Sequence, residues 1–273
     1  MPYDSLVLSA VTAELQESLL NDRVNTVQQP DALTVAISFG RKGRLLLSAH
    51  PEYARVHLSI TRLPKLPQPP GFCMLLRKYL EESRLRSIRQ PHFDRVLELE
   101  FTRGEEPVWL VAELMGRHSN LFLRSHEGII LGAIKPVPAS VNRLRVTTAG
   151  SPYAPPPATG RTSPLEGSSE EAAAWLMEGE PEKTLRGQMG RRWTGTSPVM
   201  IDWLCQQAQL DPEWQPIPSQ KEPLAQALTV LRGIIADSSF RPNGSIRLDK
   251  PGEDVWALPS PYPTVKTTPF PNM

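Results

Sequence analysis

Seven residues in one short stretch of this chain could act together: Glu113, Met115, Gly116, Arg117, His118, Ser119 and Asn120. They offer a carboxylate, a guanidinium, an imidazole, a hydroxyl and a carboxamide. A guanidinium pairs with phosphate or carboxylate through two parallel hydrogen bonds, and the amide and hydroxyl can both donate and accept. The set suits recognition better than catalysis. His50, His57, His92, His118 and His126 occur without the spacing of a Ser/His/Asp triad or a metal site, so we expect no catalytic residues and no metal. A decorated hairpin turn is the plain alternative for the same stretch. Three smaller features accompany it. Asp94-Arg95 at a strand start could accept from a ribose or base and pair with a phosphate; on the residues alone, a local ion pair is the simpler reading. Gly195-Thr196-Ser197 precedes Pro198 at a helix start, where backbone amides can hold a phosphate, although many helix pairs carry such turns. Asp4 stands just before the first helix, where an N-cap role is simpler than ligand contact.

These residues need a scaffold, and the sequence pattern supplies one. VWLVAEL and NLFLR, on either side of Met115–Ser119, read as two strands of a hairpin, and Gly116 can adopt the positive φ that closes it. Leu8, Val11, Leu15 and Leu19 recur at helical spacing after Asp4 and Ser5. Strands are expected at 24–29, 33–39, 45–49 and 56–60, with 40–43 as a hairpin turn between two of them. Pro64–Pro70 cannot be helix or central strand. Residues 71–83 read as a helix with Phe72, Leu75, Leu76 and Leu80 inward. Strands follow at 85–89, 96–101, 108–114, 120–124 and 129–134. The front of the chain is therefore α+β with a mainly antiparallel sheet.

From 151 to 169 the composition shifts to Pro, Ala, Gly, Thr and Ser, the pattern of a boundary. Beyond it the chain turns helical at 170–178, 182–193, 198–208 and 224–237. The expected organisation is a first domain over 1–160, a small all-α helix-hairpin-helix domain over 161–240, and a proline-rich segment over 241–273. That last segment, with two strand-like pieces after Ile246, reads as leading into further domains of a longer protein. Residues 1–165 hold 20 Lys and Arg against 15 Asp and Glu, a balance of +5; the rest holds 10 against 14, a balance of −4. Any polyanion contact should lie in the basic front part. Cys73 and Cys205 lie in apolar helical patterns and read as buried free thiols of a reducing, cytoplasmic compartment. No membrane-spanning run and no signal segment is apparent in the sequence.

Four stretches in the same order resemble the NFACT family of ribosome quality-control factors. They are LLLSAHPEYARVHLS (45–59), PPGFCMLLRKYLEE (69–82), HFDRVLELEF (92–101) and ELMGRHSN (113–120). The resemblance implies an NFACT-N domain, similar in fold to formamidopyrimidine-DNA glycosylases, followed by the helix-hairpin-helix region. It implies binding to an obstructed large (50S) ribosomal subunit carrying peptidyl-tRNA. The family then recruits a further tRNA, an alanine tRNA in bacteria, for mRNA-independent alanine tailing. Peptide transfer belongs to ribosomal RNA, so the protein would be a positioning factor and not an enzyme, with no cofactor and no membrane partner. The family's tRNA contacts map onto Asp4, Asp94 and Arg95, and its hairpin signature onto Glu113 and Met115–Asn120. The chain reads as a monomer. The family's coiled-coil arm is not among these residues, which show no sustained heptads, so tailing by this chain alone should be weak or absent.

Two other classes compete. The chain opens Met1-Pro2, and a processed N-terminal proline is the nucleophile of the glycosylases. Tyr3 stands where those enzymes have a glutamate, however, and their zinc-finger cysteines are missing. A fibronectin-binding surface protein is the other alternative, although no export signal or wall anchor accompanies it.

Overall fold

A computed structural model of the chain describes residues 3–61, 63–64, 66–157, 160–180 and 182–238, and the backbone of three further strands. Met1-Pro2 and most of 239–273 lie outside the described residues, so the N-terminal proline and much of the proline-rich segment do too. The chain divides into two compact units, one of residues 11–91 and 95–157, the other of residues 1–10, 92–94 and 158–273.

The first unit holds two antiparallel sheets in which every strand pairs with its neighbour in sequence. β1 (Thr26–Asp31), β2 (Thr34–Ser38), β3 (Arg44–Ser48) and β4 (Arg55–Ser59) form one, and β5 (Arg84–Arg89), β6 (Val96–Thr102), β7 (Pro107–Glu113), β8 (Asn120–Ser125) and β9 (Ile130–Ala133) the other. Period-two alternation decides the faces of the larger sheet. Leu97, Leu99 and Phe101 lie across from Ala112, Leu110 and Val108, all buried on one side. Val96, Glu98 and Glu100 lie across from Glu113, Val111 and Trp109 on the other. Each fully buried Leu or Phe stabilises the fold by about 1.5–3 kcal/mol.

The opening stripe of Leu8, Val11, Leu15 and Leu19 is buried along α1 (Ser5–Leu19), as its spacing requires. α2 (Gly71–Leu80) buries Cys73, Leu76 and Leu80 but stops three residues before the expected Ser83. Glu81 is already extended, and Glu82 has φ of 73°, which no helix continues.

The second unit is mainly helical over residues 169–236. α3 (Ser169–Met177) starts with a capping box in which Glu171 N donates to Ser168 Oγ (3.1 Å) and Ser168 N to Glu171 Oε2 (2.7 Å). α4 (Leu185–Arg192) begins later than the pattern from Glu182 suggests, because Thr184 takes the cap position. α5 (Pro198–Gln207) has proline at its first position, where the missing N–H costs nothing. α6 (Lys221–Ala236) closes the group, and Trp193, Trp203, Met189, Leu204 and Leu228 form its core. Leu6 and Phe93 join that core from distant parts of the chain. The two strands expected near the end are β11 (Val255–Pro259) and β12 (Thr267–Phe270), and both pair with a further strand just before them, β10 (Pro242–Arg247). Cys73 and Cys205 are both free and buried, and burial pushes the Cys205 thiol up to about 12.

Gly195 holds the α4–α5 connection at φ of 71°, and a Cβ there would overlap Ser5 Oγ and the Phe93 carbonyl. Replacing it with alanine should therefore cost about 2–4 kcal/mol, roughly 1 from the left-handed backbone and the rest from overlap. Urea unfolding should show a lower midpoint at an unchanged slope; a Gly195→Ala protein as stable as the parent would contradict this packing.

Candidate functional site

β7 and β8 form the hairpin that the sequence predicted, with Glu113 across from Asn120 at its mouth. A tight 3-10 turn, Gly116–His118, closes it, and Gly116 has φ of 58°. Ser119 turns inward: its hydroxyl accepts from Met115 N (2.8 Å), and its own N–H reaches Gly116 O (2.9 Å). Asn120 is buried and clamps the segment after β9, its Nδ2 donating to Lys135 O (2.8 Å) while its Oδ1 accepts from Lys135 N (3.0 Å) and Leu121 N (2.9 Å). Met115 packs against the cluster of Val96, Val111, Phe122 and Ile130. Arg117 and His118 are left exposed, with Arg117 Nε donating to His118 Nε2 (3.0 Å). The seven signature residues thus divide into a frame and an exposed cation–imidazole pair.

Glu113 belongs to the frame. Its side chain is 1% exposed and receives both terminal nitrogens of Arg145, Nη1 to Oε2 at 2.9 Å and Nη2 to Oε1. Tyr153 OH adds a third bond to Oε1 (2.9 Å). Arg145 also donates to Ala154 O from Nε (3.1 Å) and Nη2 (2.7 Å). Tyr153 meets Phe122 edge-on, ring centroids 5.5 Å apart. Burial first, and the Glu113 carboxylate second, push the Tyr153 phenol well above its usual range. On the same sheet face Arg124 stacks over Trp109 at 4.6 Å and approaches Glu98 at 3.6 Å. Arg145 and Tyr153 escaped the sequence reading. A lone charge at the end of a buried strand demands a partner, but nothing in the sequence says which of many cations supplies it. Tyr153 lies inside the stretch that composition assigned to the boundary, yet it is tied into the sheet-bearing unit, which ends at residue 157.

Asp94 and Arg95 are half-buried between the 3-10 turn Pro91–Phe93 and β6, and Leu114 N donates to Arg95 O (2.8 Å). His92 and Phe93 before them both have positive φ, 54° and 52°. Such backbone costs about 1–3 kcal/mol per residue and persists only where packing enforces it. Phe93, buried in the helical core, provides that packing.

Asp4 is 3% exposed and caps α1, its Oδ1 accepting from Val7 N (3.0 Å). Its Oδ2 accepts from the Ser197 hydroxyl, whose oxygen in turn accepts from Met200 N (3.2 Å) to cap α5. Ser5 N donates to Gly195 O (3.1 Å). Pro198 has no N–H, and the Met200 amide and the Ser197 hydroxyl at this turn are already engaged within the chain. A carboxylate of the chain already serves both helix starts. Among the described residues, no group of three or more His, Cys, Asp and Glu is arranged to hold a metal, and no helix is long and apolar enough to cross a membrane.

A family model described as NFACT N-terminal and middle domains matches residues 4–272. The Rqc2 homolog RqcH of Bacillus subtilis is 32% identical over 254 residues, covering 89% of this chain and 42% of that protein. The ribosome quality control complex subunit NEMF of Homo sapiens is 35% identical over 136 residues, 49% of this chain and 12% of that protein. The chain therefore spans less than half the length of these two relatives. The N-terminal part of the fibronectin/fibrinogen-binding protein from Streptococcus suis superposes with a TM-score of 0.78 at 26% identity, covering 99% of this chain and 96% of that one.

Removing one partner of the Glu113–Arg145 pair should strand a buried charge, so Arg145→Met is expected to cost about 3–5 kcal/mol in denaturant unfolding. A Glu113→Gln/Arg145→Met double variant should recover part of that loss; strictly additive losses would mean the two are not coupled. The raised Tyr153 phenol fixes a second expectation. The unfolded phenol loses its proton near about pH 10 and the folded one does not. This contribution to stability is therefore complete below about pH 10 and falls as pH rises beyond it. Phenolate absorbance of folded protein at about pH 11 should match that of Tyr153→Phe, and an extra phenolate in the parent would contradict the geometry.

Proposed function

The chain belongs to the NFACT family, and on that premise we propose that it is the N-terminal, tRNA-binding part of a ribosome quality-control factor. The observation that carries the proposal is the match of the family model across residues 4–272, together with relatives named for ribosome quality control. In this reading the full protein binds a 50S subunit that retains peptidyl-tRNA. It positions a further tRNA, an alanine tRNA in bacteria, so that the nascent chain is extended without mRNA. The ribosomal RNA transfers the peptide, and the protein acts in the cytoplasm as a monomer that performs no bond chemistry itself.

The local geometry supports this division of labour. Arg117 and His118 are exposed on a turn that Ser119, Asn120 and the Glu113–Arg145 pair make rigid. A preorganised guanidinium loses little entropy on meeting a phosphate. Asp94 and Arg95 supply the acid–base pair for ribose and phosphate. Asp4 contributes through the helix starts it caps. A second reading, fibronectin or fibrinogen binding, draws on the name of the S. suis protein. Abasic DNA serves as the probe for the glycosylase alternative.

Fluorescence anisotropy with labelled tRNA and with an abasic DNA duplex, at two salt concentrations, tests the proposal. The parent chain should prefer tRNA, and Asp94→Ala/Arg95→Ala should weaken it. Removing one arginine–phosphate pairing should flatten the log–log salt slope by roughly 0.7–0.9. A preference for abasic DNA, or no tRNA binding at either salt, would sink the assignment.

A further inference from the structure

The loop between β3 and β4 carries a feature that the hairpin does not account for. His50 and Tyr53 stack with ring centroids 5.0 Å apart and planes inclined by 28°. His50 Nδ1 accepts from Glu52 N (3.2 Å) and Tyr53 N (3.3 Å), which fixes the imidazole against the turn. The turn needs His50 for those bonds, but the Tyr53 ring makes no comparable contribution. Tyr53 is 56% exposed, and its ring is held by the stack rather than by a core.

This loop is joined to the hairpin described above. Lys135 Nζ donates to Ala49 O (3.1 Å), and the Lys135 backbone is the segment that Asn120 clamps. A Cβ built on Gly116 would stand 3.6 Å from Pro51 O, so the two turns pass close to each other. The exposed neighbours are Arg55, Arg117 and His118, with Glu52 as the acidic one. An aromatic face beside guanidinium groups is the combination that takes up an unpaired nucleotide, the base on the ring and the flanking phosphates on the cations. A protein partner would be better served by an apolar patch, which these loops lack.

We propose that the His50–Tyr53 stack is a base-stacking platform for an unpaired RNA nucleotide, with Arg117 and Arg55 meeting its phosphates. This rests on the tRNA-binding reading and adds to it a surface for single-stranded loop bases. Stacking tolerates any base, so the platform contributes affinity for loops rather than sequence choice.

The test uses the 273-residue chain with a short RNA hairpin carrying 2-aminopurine in its unpaired loop, a blunt RNA duplex, and tRNA. The parent should quench the 2-aminopurine and bind the hairpin more tightly than the duplex. Tyr53→Ala should lose the quench and bind the hairpin on the order of 5- to 100-fold more weakly, with the duplex unchanged. Tyr53→Phe should keep both signals. Tyr53→Leu, which keeps bulk without a π face, should behave like Tyr53→Ala. Quenching that survives in Tyr53→Ala or Tyr53→Leu overturns the platform, and so does an equal loss for hairpin and duplex. If the parent binds tRNA but never quenches the loop base, the platform falls while the quality-control reading stands. If the parent binds no RNA, both fall.

Discussion

The buried carboxylate of Glu113 governs the sheet face on which the candidate site is built. A charge at 1% exposure is tolerable only when paired and fully hydrogen-bonded, and Arg145 and Tyr153 meet that requirement. Satisfying it pulls residues 145–154 over the five-stranded sheet and leaves Phe122 under the Arg145 guanidinium at 5.7 Å. The pair therefore contributes position more than net stability. It fixes the mouth of the β7–β8 hairpin, and the orientation of Arg117 and His118 follows from that.

Most of the scaffold is legible in the sequence because its signals are local. Period-two alternation locates β1–β9 within one or two residues, and the leucine spacing locates α1. The turn at Gly116 is readable because a hairpin closed by so few residues needs positive φ there. What stays hidden depends on partners far apart in the chain. By sequence Glu113 is a charge at the end of a strand, and only the three-dimensional pairing with Arg145 shows it to be a buried anchor. The early end of α2 follows from the backbone of Glu82, for which a glutamate gives no warning. Composition marks residues 151–169 as a boundary, but it cannot show that Tyr153 belongs to the sheet or that residues 1–10 and 92–94 group with the helices.

Asp4 shows how one side chain can serve two helix starts. Its N-cap role follows from its place before the first helix; its second oxygen, holding Ser197, has no such local signal. The same bond engages the Ser197 hydroxyl of the Gly195-Thr196-Ser197 turn. Helix starts attract anions, and here the attraction is met from within the chain.

The sheet topology also sets an order of events. In the two sheets of the first unit each strand hydrogen-bonds to its neighbours in sequence, so each of those pairings closes a short loop and costs little chain entropy. Hairpins of this kind can form one after another as a polypeptide lengthens. The Asp4–Ser197 bond spans 193 positions and cannot exist until the α5 start has been synthesised. During its own synthesis the chain therefore carries assembled sheets alongside an N-terminal segment whose partner has yet to emerge.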